Sequence, residues 1–360
     1  MSGASLRVGY VAGWPPRRAP GLARYATELL AALRSTTPQH ELVELSLDRT
    51  GAARLAWTQS VLPWRVRRAH LDVCHVTSYP TPVVGRAPIV LTLHDLSLLR
   101  EPGMHPRRRV AAMTPLLRMA ALRATAIIVP SRATRDDAER LLHLDPACVH
   151  VIPEAASPRF RRVTDQDALV AIALRHAVTP GYLLALGTLE PRKNLPALVD
   201  AWLRVRARGW DGQLVLAGGD GWRNERLDAR LADPAVVPHV RRLCHVPDAD
   251  LPGLLTMAGA FGYPSLLEGF GLPVVEALAC GTPTVTADRG ATAEVAGDAA
   301  ILADPMDVGA LAAALELALM PGPERDRLAL AGPLRAARFD WDTAARATAD
   351  VYALAAGAAG

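Results

Sequence analysis

The stretch Glu268-Gly-Phe-Gly-Leu-Pro-Val-Val-Glu276 comes shortly after the strand-like run Ala260 to Tyr263. Its two glycines permit unusual backbone angles, its proline suits a first helical turn, and Gly281 can terminate the helix that it starts. We therefore predict a strand, a tight turn and a helix whose amino terminus points out of a sheet. Free N–H groups and the helix dipole make such a terminus an anion site, and Gly269 and Gly271 would let a diphosphate approach the backbone.

The glutamates at the two ends of this stretch are candidates for binding hydroxyl groups. A carboxylate beside a phosphate would repel it, so we expect Glu268 and Glu276 to accept hydrogen bonds from sugar or ribose hydroxyls. The alternative is that Glu268 caps the helix while Glu276 is a solvated helix residue.

A second stretch, Leu186-Gly-Thr-Leu-Glu-Pro-Arg-Lys-Asn194, repeats this geometry. A strand runs into a loop, with Asn194 as the predicted helix cap and a proline in the first turn. Arg192 and Lys193 are then cations at a helix amino terminus, whereas helices normally carry cations at the other end. Lys193 is also the single lysine among 40 basic residues, and its compact ammonium suits a crowded phosphate. The pair indicates a phosphate site; the alternative is a solvated loop with two basic residues.

Strand-like and helical stretches alternate in two series along the chain. The predicted strands of the first series are Arg7 to Ala12, Glu41 to Leu47, Asp72 to Val76, Ile89 to Leu93, Ala126 to Val129 and Val149 to Ile152. Those of the second series are Tyr182 to Leu186, Gln213 to Ala217, Ala260 to Tyr263 and Thr284 to Thr286. Continuous apolar strands in this alternation indicate parallel sheets covered on both faces. We predict an α/β protein of two Rossmann-like, doubly wound domains, with an interdomain cleft at the carboxyl ends of the strands.

The segment 158–179 lies between the two series, and we place the domain boundary there. The predicted domains are residues 1–170 and residues 171–338. A final helical stretch within residues 339–360 follows a Pro- and Gly-containing break at 321–333, and we expect it to pack back on the first domain.

The composition supports two buried cores, since the chain has 360 residues, of which 50% are apolar and 21% charged. We find no leader pattern at the amino terminus and no apolar run of about 18 residues, so a cytoplasmic location is expected. The four cysteines lie far apart and form no metal-ligand cluster with histidines. No metal site is therefore predicted.

The charge is unevenly distributed along the chain. Residues 1–172 carry 23 Arg against 14 acidic residues, a balance of +9, and the remainder carries 17 basic against 22 acidic residues, a balance of −5. A basic first half suits an anionic acceptor or a phospholipid surface. Nucleic acid is not an expected partner, because the arginines are scattered without interleaved aromatic residues.

The segments Glu190-Pro-Arg-Lys-Asn194 and Glu268 to Glu276 together resemble the paired signatures of the retaining family 4 glycosyltransferases with the GT-B fold. The resemblance covers nearly the whole chain. It implies a first domain that binds the acceptor, a second domain that holds most of a nucleoside diphosphate sugar, and transfer with retained anomeric configuration. It also implies that the reaction needs no metal, so we expect no cofactor.

The resemblance further implies individual roles. The position of Glu268 contacts the donor sugar, that of Glu276 the ribose, and those of Arg192 and Lys193 the diphosphate. The other positions implied in donor binding are Gly21, Gly187, His245, Val246, Gly269, Phe270, Gly271 and Leu272, with Gly187 beside the sugar and His245 and Val246 near the base.

In the first domain, His94 and Asp95 follow the apolar run Ile89 to Leu93 and so lie at the carboxyl end of a predicted strand. The pair is similar to the family's sugar-proximal histidine, and we assign His94 to a sugar hydroxyl or to the developing charge. Asp95 and Ser131 are placed on the acceptor side. The alternative for Ser131 is that it caps the following helix.

The loop after the first strand departs from the family pattern, which is often glycine-rich there. It reads Gly13-Trp-Pro-Pro-Arg-Arg-Ala-Pro-Gly21, stiffer and more basic than expected. Gly21 keeps a close approach possible, and Trp14, Arg17 and Arg18 are candidates for an acceptor pocket.

Retention raises a question of mechanism, because a double displacement needs a carboxylate nucleophile and the sequence singles out none. We therefore favour attack from the same face, with the leaving phosphate balanced by Arg192 and Lys193. Other reactions remain open within the fold, namely those of a sugar-nucleotide epimerase or a phosphorylase. A nicotinamide oxidoreductase is a further alternative, but no GxGxxG follows the first strand. A non-catalytic sugar-binding module is the last.

The transferred sugar is expected to be a hexose such as mannose or glucose. An acceptor saccharide, a lipid-linked saccharide or a secondary metabolite are the candidate acceptors. The arginines at 67–68 and 107–109 suggest peripheral contact with a membrane, and the alternative is a solvated basic surface.

Overall fold

The computed structural model describes residues 5–12, 20–45, 51–82 and 84–358. The chain forms two units, one from Met1–Glu154 together with Asp340–Gly360 and the other from Ala155–Phe339. The boundary placed from the sequence, between residues 170 and 171, lies inside a helix of the second unit.

The strands are short, and most of them are buried along their whole length. In chain order they are β1 Arg7–Val11, β2 Glu41–Glu44, β3 Val73–Val76, β4 Ile89–Thr92, β5 Ala126–Val129, β6 Val149–Val151, β7 Leu183–Leu186, β8 Leu214–Ala217, β9 Val240–Leu243, β10 Ala260–Tyr263, β11 Thr284–Ala287 and β12 Ile301–Ala303.

Helices alternate with these strands through most of the chain. In chain order they are α1 Pro20–Thr36, α2 Gly51–Arg68, α3 Ser97–Arg100, α4 Arg107–Arg123, α5 Arg132–Leu142, α6 Gln166–His176, α7 Leu195–Ala207, α8 Glu225–Leu231, α9 Leu251–Met257, α10 Leu272–Ala279, α11 Gly290–Ala296, α12 Val308–Leu319, α13 Pro323–Ala336 and α14 Trp341–Gly357.

The first unit contains a parallel sheet in the order β2-β1-β3-β4-β5-β6. Apolar side chains of α2, α4 and α5 form a core on one face of this sheet. On the other face, α14 packs against α1 and against β3, β4 and β5. There the buried ring of His75 bonds the Tyr352 hydroxyl of α14 at 2.7 Å and the Thr92 hydroxyl at 2.8 Å. The last helix is thus tied into the first unit by buried polar contacts as well as by packing.

The second unit contains a parallel sheet in the order β12-β11-β10-β7-β8-β9. Alternate strand residues face opposite sides, so Leu184 packs towards α9 and α10 while Leu183 packs towards α7 and α12. Chain order reverses between β7 and β10, which are neighbours in the sheet. In open α/β sheets, ligands bind outside the carboxyl ends of the strands at such a reversal.

Helix α10 begins and ends as its sequence predicts. Gly271, with φ of 104°, precedes its first residue. At its end, the amides of Gly281 and Thr282 donate to the carbonyls of Leu278 at 2.9 Å and Ala277 at 3.0 Å, and Gly281 has a φ of 69°. This is a Schellman motif, which needs a left-handed residue and therefore favours glycine.

Two segments that we expected to be irregular contain helices. Helix α6 lies within the predicted boundary segment 158–179, and α13 spans most of the predicted break at 321–333. In α13 the first residue is a proline, which a first turn tolerates. A Cβ on Gly332 would lie 2.8 Å from the carbonyl oxygen of Leu278, so this glycine lets α13 pack closely on α10.

Candidate active site

The site predicted from the sequence lies at the reversal of strand order in the second unit. After β7 the chain passes through Gly187 and a short 3-10 turn, Pro191–Lys193, into α7. After β10 it passes through Ser265 and Glu268 into α10. The amide of Leu266 donates to the carbonyl of Arg192 at 2.7 Å, so the two loops are joined through their main chains.

The carboxylate of Glu268 is the centre of this site, and its side chain is only 9% exposed. Its Oε1 accepts hydrogen bonds from Lys193 Nζ at 2.6 Å, Ser265 Oγ at 2.6 Å and Tyr263 Oη at 2.9 Å. Its Oε2 accepts a hydrogen bond from Arg192. Glu268, Arg192 and Lys193, which we assigned to one nucleotide sugar, are thus brought together, and they contact one another directly.

Both cations of the site are paired with carboxylates. Arg192 contacts Glu190 as well as Glu268, and its Nη1 donates to the carbonyl of Leu267 at 3.1 Å. Lys193 is 8% exposed, and its Nζ bonds the Tyr263 hydroxyl and lies 4.7 Å from the centre of that ring. The interpretation of these cations as part of a solvated loop is therefore wrong. Two cations and two carboxylates give the cluster no net charge.

Burial and charge together set the protonation of the cluster. Burial opposes ionisation of Glu268, but the charges of Arg192 and Lys193 outweigh it and hold its pKa at about 2. Burial, followed by the charge of Arg192, lowers the pKa of Lys193 against the opposing effect of Glu268. Burial and then Glu268 raise the pKa of Tyr263 well above its usual range. At neutral pH, Glu268 is therefore ionised and Tyr263 carries its proton.

Two glycines keep the space beside Lys193 open. Gly187 has a φ of 129°, and a Cβ there would lie 3.4 Å from Lys193 Cε. Gly218 follows β8 with a φ of 149°, and a Cβ there would lie 2.0 Å from the carbonyl oxygen of Gly187. A small cavity next to Lys193 is lined by Gly187 and Tyr263 among others. Glycine is therefore required at 187 by the positive φ and at 218 by the close approach of the Gly187 carbonyl.

The residues at the start of α10 present main chain rather than side chains. Gly269 is buried, and the Phe270 ring packs edge-on against Phe339 with centroids 5.4 Å apart. Leu272 belongs to the same core cluster as Phe270. The side chains of Phe270 and Leu272 are thus packed in the core, and Gly269 and Gly271 carry none.

Glu276 and the segment near the predicted base site differ in exposure. Glu276 is 2% exposed within α10, so its interpretation as a solvated helix residue is wrong. Burial, with a smaller contribution from Glu276, raises the pKa of the Cys280 thiol to about 12. His245 is exposed and Val246 half-buried, and both follow β9, two strands away from β7.

In the first unit, His94 follows β4 and its ring is held on both sides. Nδ1 lies 2.9 Å from Oε1 of Glu154, and Nε2 donates to the carbonyl of Thr77 at 2.9 Å. The Tyr25 ring stands perpendicular to it at 4.6 Å between centroids. Glu154 is buried and follows β6. Both ring nitrogens of His94 therefore have partners within this unit, and its assigned contact with a sugar hydroxyl stays a prediction.

Asp95 and Ser131 both bond the amides of nearby helices. Asp95 Oδ1 accepts from the amide of Ser97 at 2.9 Å and from its hydroxyl at 2.7 Å, at the start of α3. Ser131 is buried and caps α5, accepting from the amide of Thr134 at 3.1 Å. The capping interpretation of Ser131 is confirmed, and the acceptor-side roles of both residues stay predictions.

Of the candidate residues in the loop after β1, only Gly21 lies among the described residues. Gly21 is exposed and is the second residue of α1. Trp14, Arg17 and Arg18 lie outside the described residues.

Sequence reasoning missed four polar residues of these clusters. Tyr263 and Ser265 carry hydroxyls that bind Glu268, Glu190 pairs with Arg192, and Glu154 binds His94. Tyr263 ends a strand, and Ser265, Glu190 and Glu154 follow one within a few residues, so a place at the carboxyl end of a strand was a usable signal. Which carboxylate meets which cation depends on packing between separate loops.

The sequence matches two known family descriptions along most of its length. Residues 172–335 match the family described as "Glycosyl transferases group 1", and residues 24–159 match "Glycosyltransferase Family 4". The O-antigen chain mannosyltransferase B of Escherichia coli is 33% identical to this chain over the matched residues. The match covers 74% of this chain and 70% of the mannosyltransferase. The chain belongs to glycosyltransferase family 4. It is therefore a glycosyltransferase, as the paired signatures indicated.

Solved structures of similar shape support the fold of this family 4 glycosyltransferase. Sucrose-phosphate synthase from Thermosynechococcus elongatus has a TM-score of 0.76 at 19% identity, covering 96% of this chain and 98% of its own. HepE of Anabaena, solved in complex with UDP and glucose, has a TM-score of 0.74 at 17% identity. The match covers 96% of this chain and 98% of the HepE chain. With two parallel six-stranded sheets, the predicted GT-B fold is confirmed.

Proposed function

We propose that this glycosyltransferase moves a hexosyl group from a nucleoside diphosphate sugar to an acceptor hydroxyl with retention of configuration. The observation that carries the proposal is the buried cluster of Arg192, Lys193 and Glu268 at the carboxyl ends of β7 and β10. Buried cations beside the amino termini of two helices suit a pyrophosphate. A buried, ionised carboxylate among them suits the hydroxyls of a sugar.

Binding of the nucleotide sugar requires an exchange of partners. The cluster is neutral as it stands, because Glu268 and Glu190 already balance Arg192 and Lys193. We propose that the pyrophosphate replaces Glu268 as the partner of Arg192 and Lys193. Glu268 then accepts hydrogen bonds from the sugar, Glu276 binds the ribose, and the main chain of the turn into α10 contacts the phosphate oxygens.

The chemical step follows from this arrangement. The bond between the anomeric carbon and the phosphate oxygen breaks, and Arg192 and Lys193 stabilise the charge that develops on the leaving diphosphate. The acceptor oxygen attacks from the same face, and its proton passes to the leaving phosphate oxygen. Because side-chain cations balance the leaving group, we propose that transfer needs no metal, and activity in the presence of EDTA tests this.

The sugar is proposed from the relatives. The Escherichia coli relative is named as a mannosyltransferase, which favours mannose as the transferred hexose. HepE was solved with UDP and glucose, so UDP-glucose is the other nucleotide sugar to test. A thermal-shift panel that includes GDP-mannose and UDP-glucose identifies the donor, since at equal concentration the tighter ligand raises the melting temperature more.

A membrane-bound acceptor is proposed from the surface of α2 and α4. Neither helix contains an acidic residue, while α2 has three exposed arginines and α4 has four. Trp64 on α2 is 57% exposed and Leu122 on α4 is 79% exposed. Arginines with exposed apolar side chains suit the interface of an anionic bilayer, where a lipid-linked saccharide would be presented. Among the described residues, no helix is long and apolar enough to cross a membrane.

Replacement of Lys193 tests the proposed function. Lys193→Ala should lower kcat by roughly a hundredfold or more, because removing one preorganised charge from the leaving group costs about that much. Lys193→Arg should also lose most activity, since a planar guanidinium does not fit beside Gly187. Arg327→Lys, in an exposed ion pair with Glu324, is the matched control and should keep its activity. A Lys193→Ala enzyme with most of its activity would contradict the mechanism.

Product analysis separates the proposal from its rivals. An anomeric assignment of the product by NMR should show the configuration of the donor retained. Conversion of the nucleotide sugar without an acceptor would indicate an epimerase, and consumption of inorganic phosphate would indicate a phosphorylase.

A further inference from the structure

Glu268 has two partners that carry no charge, and the proposed function gives them no part. Tyr263 Oη and Ser265 Oγ both lie within hydrogen-bond distance of Glu268 Oε1, at 2.9 and 2.6 Å. Both residues are buried. The same oxygen also accepts from Lys193, so it has three hydrogen-bond donors of which two are hydroxyls.

These hydroxyls differ from the cations in where they are attached. Tyr263 ends β10 and Ser265 follows it, so both belong to the segment that carries Glu268. Arg192 and Lys193 belong to the loop after β7. A ligand that draws the cations away from Glu268 therefore leaves the two hydroxyls in place. The Tyr263 ring is further fixed by stacking on Phe261, with centroids 5.6 Å apart.

Without the hydroxyls of Tyr263 and Ser265, the exchange of partners at Glu268 would cost free energy. Once Arg192 and Lys193 turn to a pyrophosphate, Glu268 is a buried carboxylate next to new negative charge. A buried charge without partners is strongly destabilised, and a carboxyl in that position takes up a proton instead. A protonated Glu268 loses acceptor capacity for sugar hydroxyls, because one of its oxygens becomes a donor.

The hydroxyls of Tyr263 and Ser265 can prevent this protonation of Glu268. Tyr263 accepts a bond from Lys193 and donates its proton to Glu268, which an ionised tyrosine could not do. Ser265 has one proton, and Glu268 Oε1 at 2.6 Å is closer to its hydroxyl than the Arg192 carbonyl at 3.0 Å. Each can stay hydrogen-bonded to the carboxylate whether or not the cations do.

We propose that Tyr263 and Ser265 are positioning residues that keep Glu268 ionised and in place when a nucleotide sugar draws Arg192 and Lys193 away from it. The inference rests on the proposed function and adds to it the two groups that make the exchange of partners possible. Neither residue needs to touch the sugar or the phosphates.

The test is calorimetric titration of GDP-mannose and UDP-glucose at pH 6, repeated in buffers of different ionisation enthalpy. The substituted pyrophosphate of these compounds has no group that titrates near this pH, so proton uptake reports on the protein. The unaltered chain should bind one of them with uptake close to zero. Tyr263→Phe with Ser265→Ala should bind it about tenfold to a hundredfold more weakly, with uptake approaching one proton.

Two single variants and a matched control complete the test. Tyr263→Phe and Ser265→Ala alone should each show an intermediate proton uptake. Tyr182→Phe removes another buried hydroxyl of the same unit, one that donates to the Leu254 carbonyl at 2.7 Å, and should bind like the unaltered chain. Without ligand, all variants should keep Glu268 paired to Arg192 and Lys193, and circular dichroism should show them folded.

The outcomes separate this inference from the proposed function. If the unaltered chain binds neither nucleotide sugar, nor any other in the donor panel, the proposed function is overturned and this inference with it. If it binds one and the double variant binds that compound equally tightly without proton uptake, the inference is overturned and the proposed function stands. Weaker binding with proton uptake supports both.

Discussion

At the scale of single residues, the carboxylate of Glu268 links the stability of the chain to pH. Its pKa is about 2 in the folded chain, against about 4.3 for a free glutamate. The folded form therefore holds its proton less strongly than the unfolded form does. The resulting stabilisation is present above about pH 4 and is lost as the pH falls through about 2.

The pKa shift of Glu268 makes the free energy of unfolding depend measurably on pH. The shift corresponds to about 3 kcal/mol of unfolding free energy, and Glu268→Gln should remove that contribution. Urea unfolding between pH 2 and pH 6 should show a smaller pH dependence for the variant than for the unaltered chain. Parallel curves for the two proteins would mean that the carboxylate titrates alike in both states.

The carboxylate of Glu154 lies 2.9 Å from His94 Nδ1. Glu154→Gln can keep a hydrogen bond to the ring, whereas Glu154→Ala cannot. We expect kcat to fall about tenfold in Glu154→Ala and less in Glu154→Gln, because the alanine variant loses the group that orients His94. Steady-state rates on the identified donor measure this. Equal rates for both variants and the unaltered chain would show that the orientation of His94 does not matter.

From the sequence, Glu268, Arg192 and Lys193 were assigned to one nucleotide sugar, because the two strand–loop–helix segments that carry them resemble paired family signatures. The sequence did not predict that these groups neutralise one another. Charge pairing depends on side-chain positions in two loops, and Lys193 and Glu268 are 75 residues apart in the chain. Spacing along either loop therefore carries no information on the pairing.

At the scale of helices and strands, the clear apolar runs were predicted well. The expected strand positions at β1, β4, β5, β6 and β10 are confirmed within a residue or two. The edge strands β9 and β12 were missed, and both are partly exposed. β9 has two arginines in place of a continuous apolar run, and β12 has only three residues. Helix α13 was missed because glycine and proline near its end outweighed its helical pattern, although Gly332 is there for packing.

The close packing of α13 on α10 depends on Gly332. A Cβ at 2.8 Å from the Leu278 carbonyl oxygen would push α13 away from α10, so Gly332→Ala should destabilise the chain by about 1–3 kcal/mol. Gly322→Ala, just before the same helix, has no described atom within 4 Å and is the control. Chemical unfolding of both variants measures the difference. Equal stability would show that the two helices can separate without cost.

At the scale of the whole molecule, the α/β class and the division into two Rossmann-like parts followed from the alternation of elements. The two sheets nevertheless differ in strand order, since β1 is second from an edge in one and β7 is central in the other. Strand order depends on which edges pair. Because all the pairs are parallel and all the crossovers are long, local sequence does not decide it.

The return of α14 to the first unit gives a prediction that distinguishes the two units. Tyr352→Phe would leave a ring nitrogen of the buried His75 without its 2.7 Å partner, at a cost of about 1–3 kcal/mol. Hydrogen exchange followed by mass spectrometry should then show lower protection in α1 and α14 and unchanged protection in the second unit. Loss of protection in both units alike would contradict this assignment of α14.

The same return has a consequence for synthesis on the ribosome. The second unit is continuous in sequence and can complete its core as soon as residue 339 has emerged. The first unit, although translated earlier, must wait for residues 341–357 before α1 and the buried face of β3 and β4 are covered. Nascent chains halted before α14 should therefore hold a finished second unit beside an unfinished first one, the reverse of the usual vectorial order.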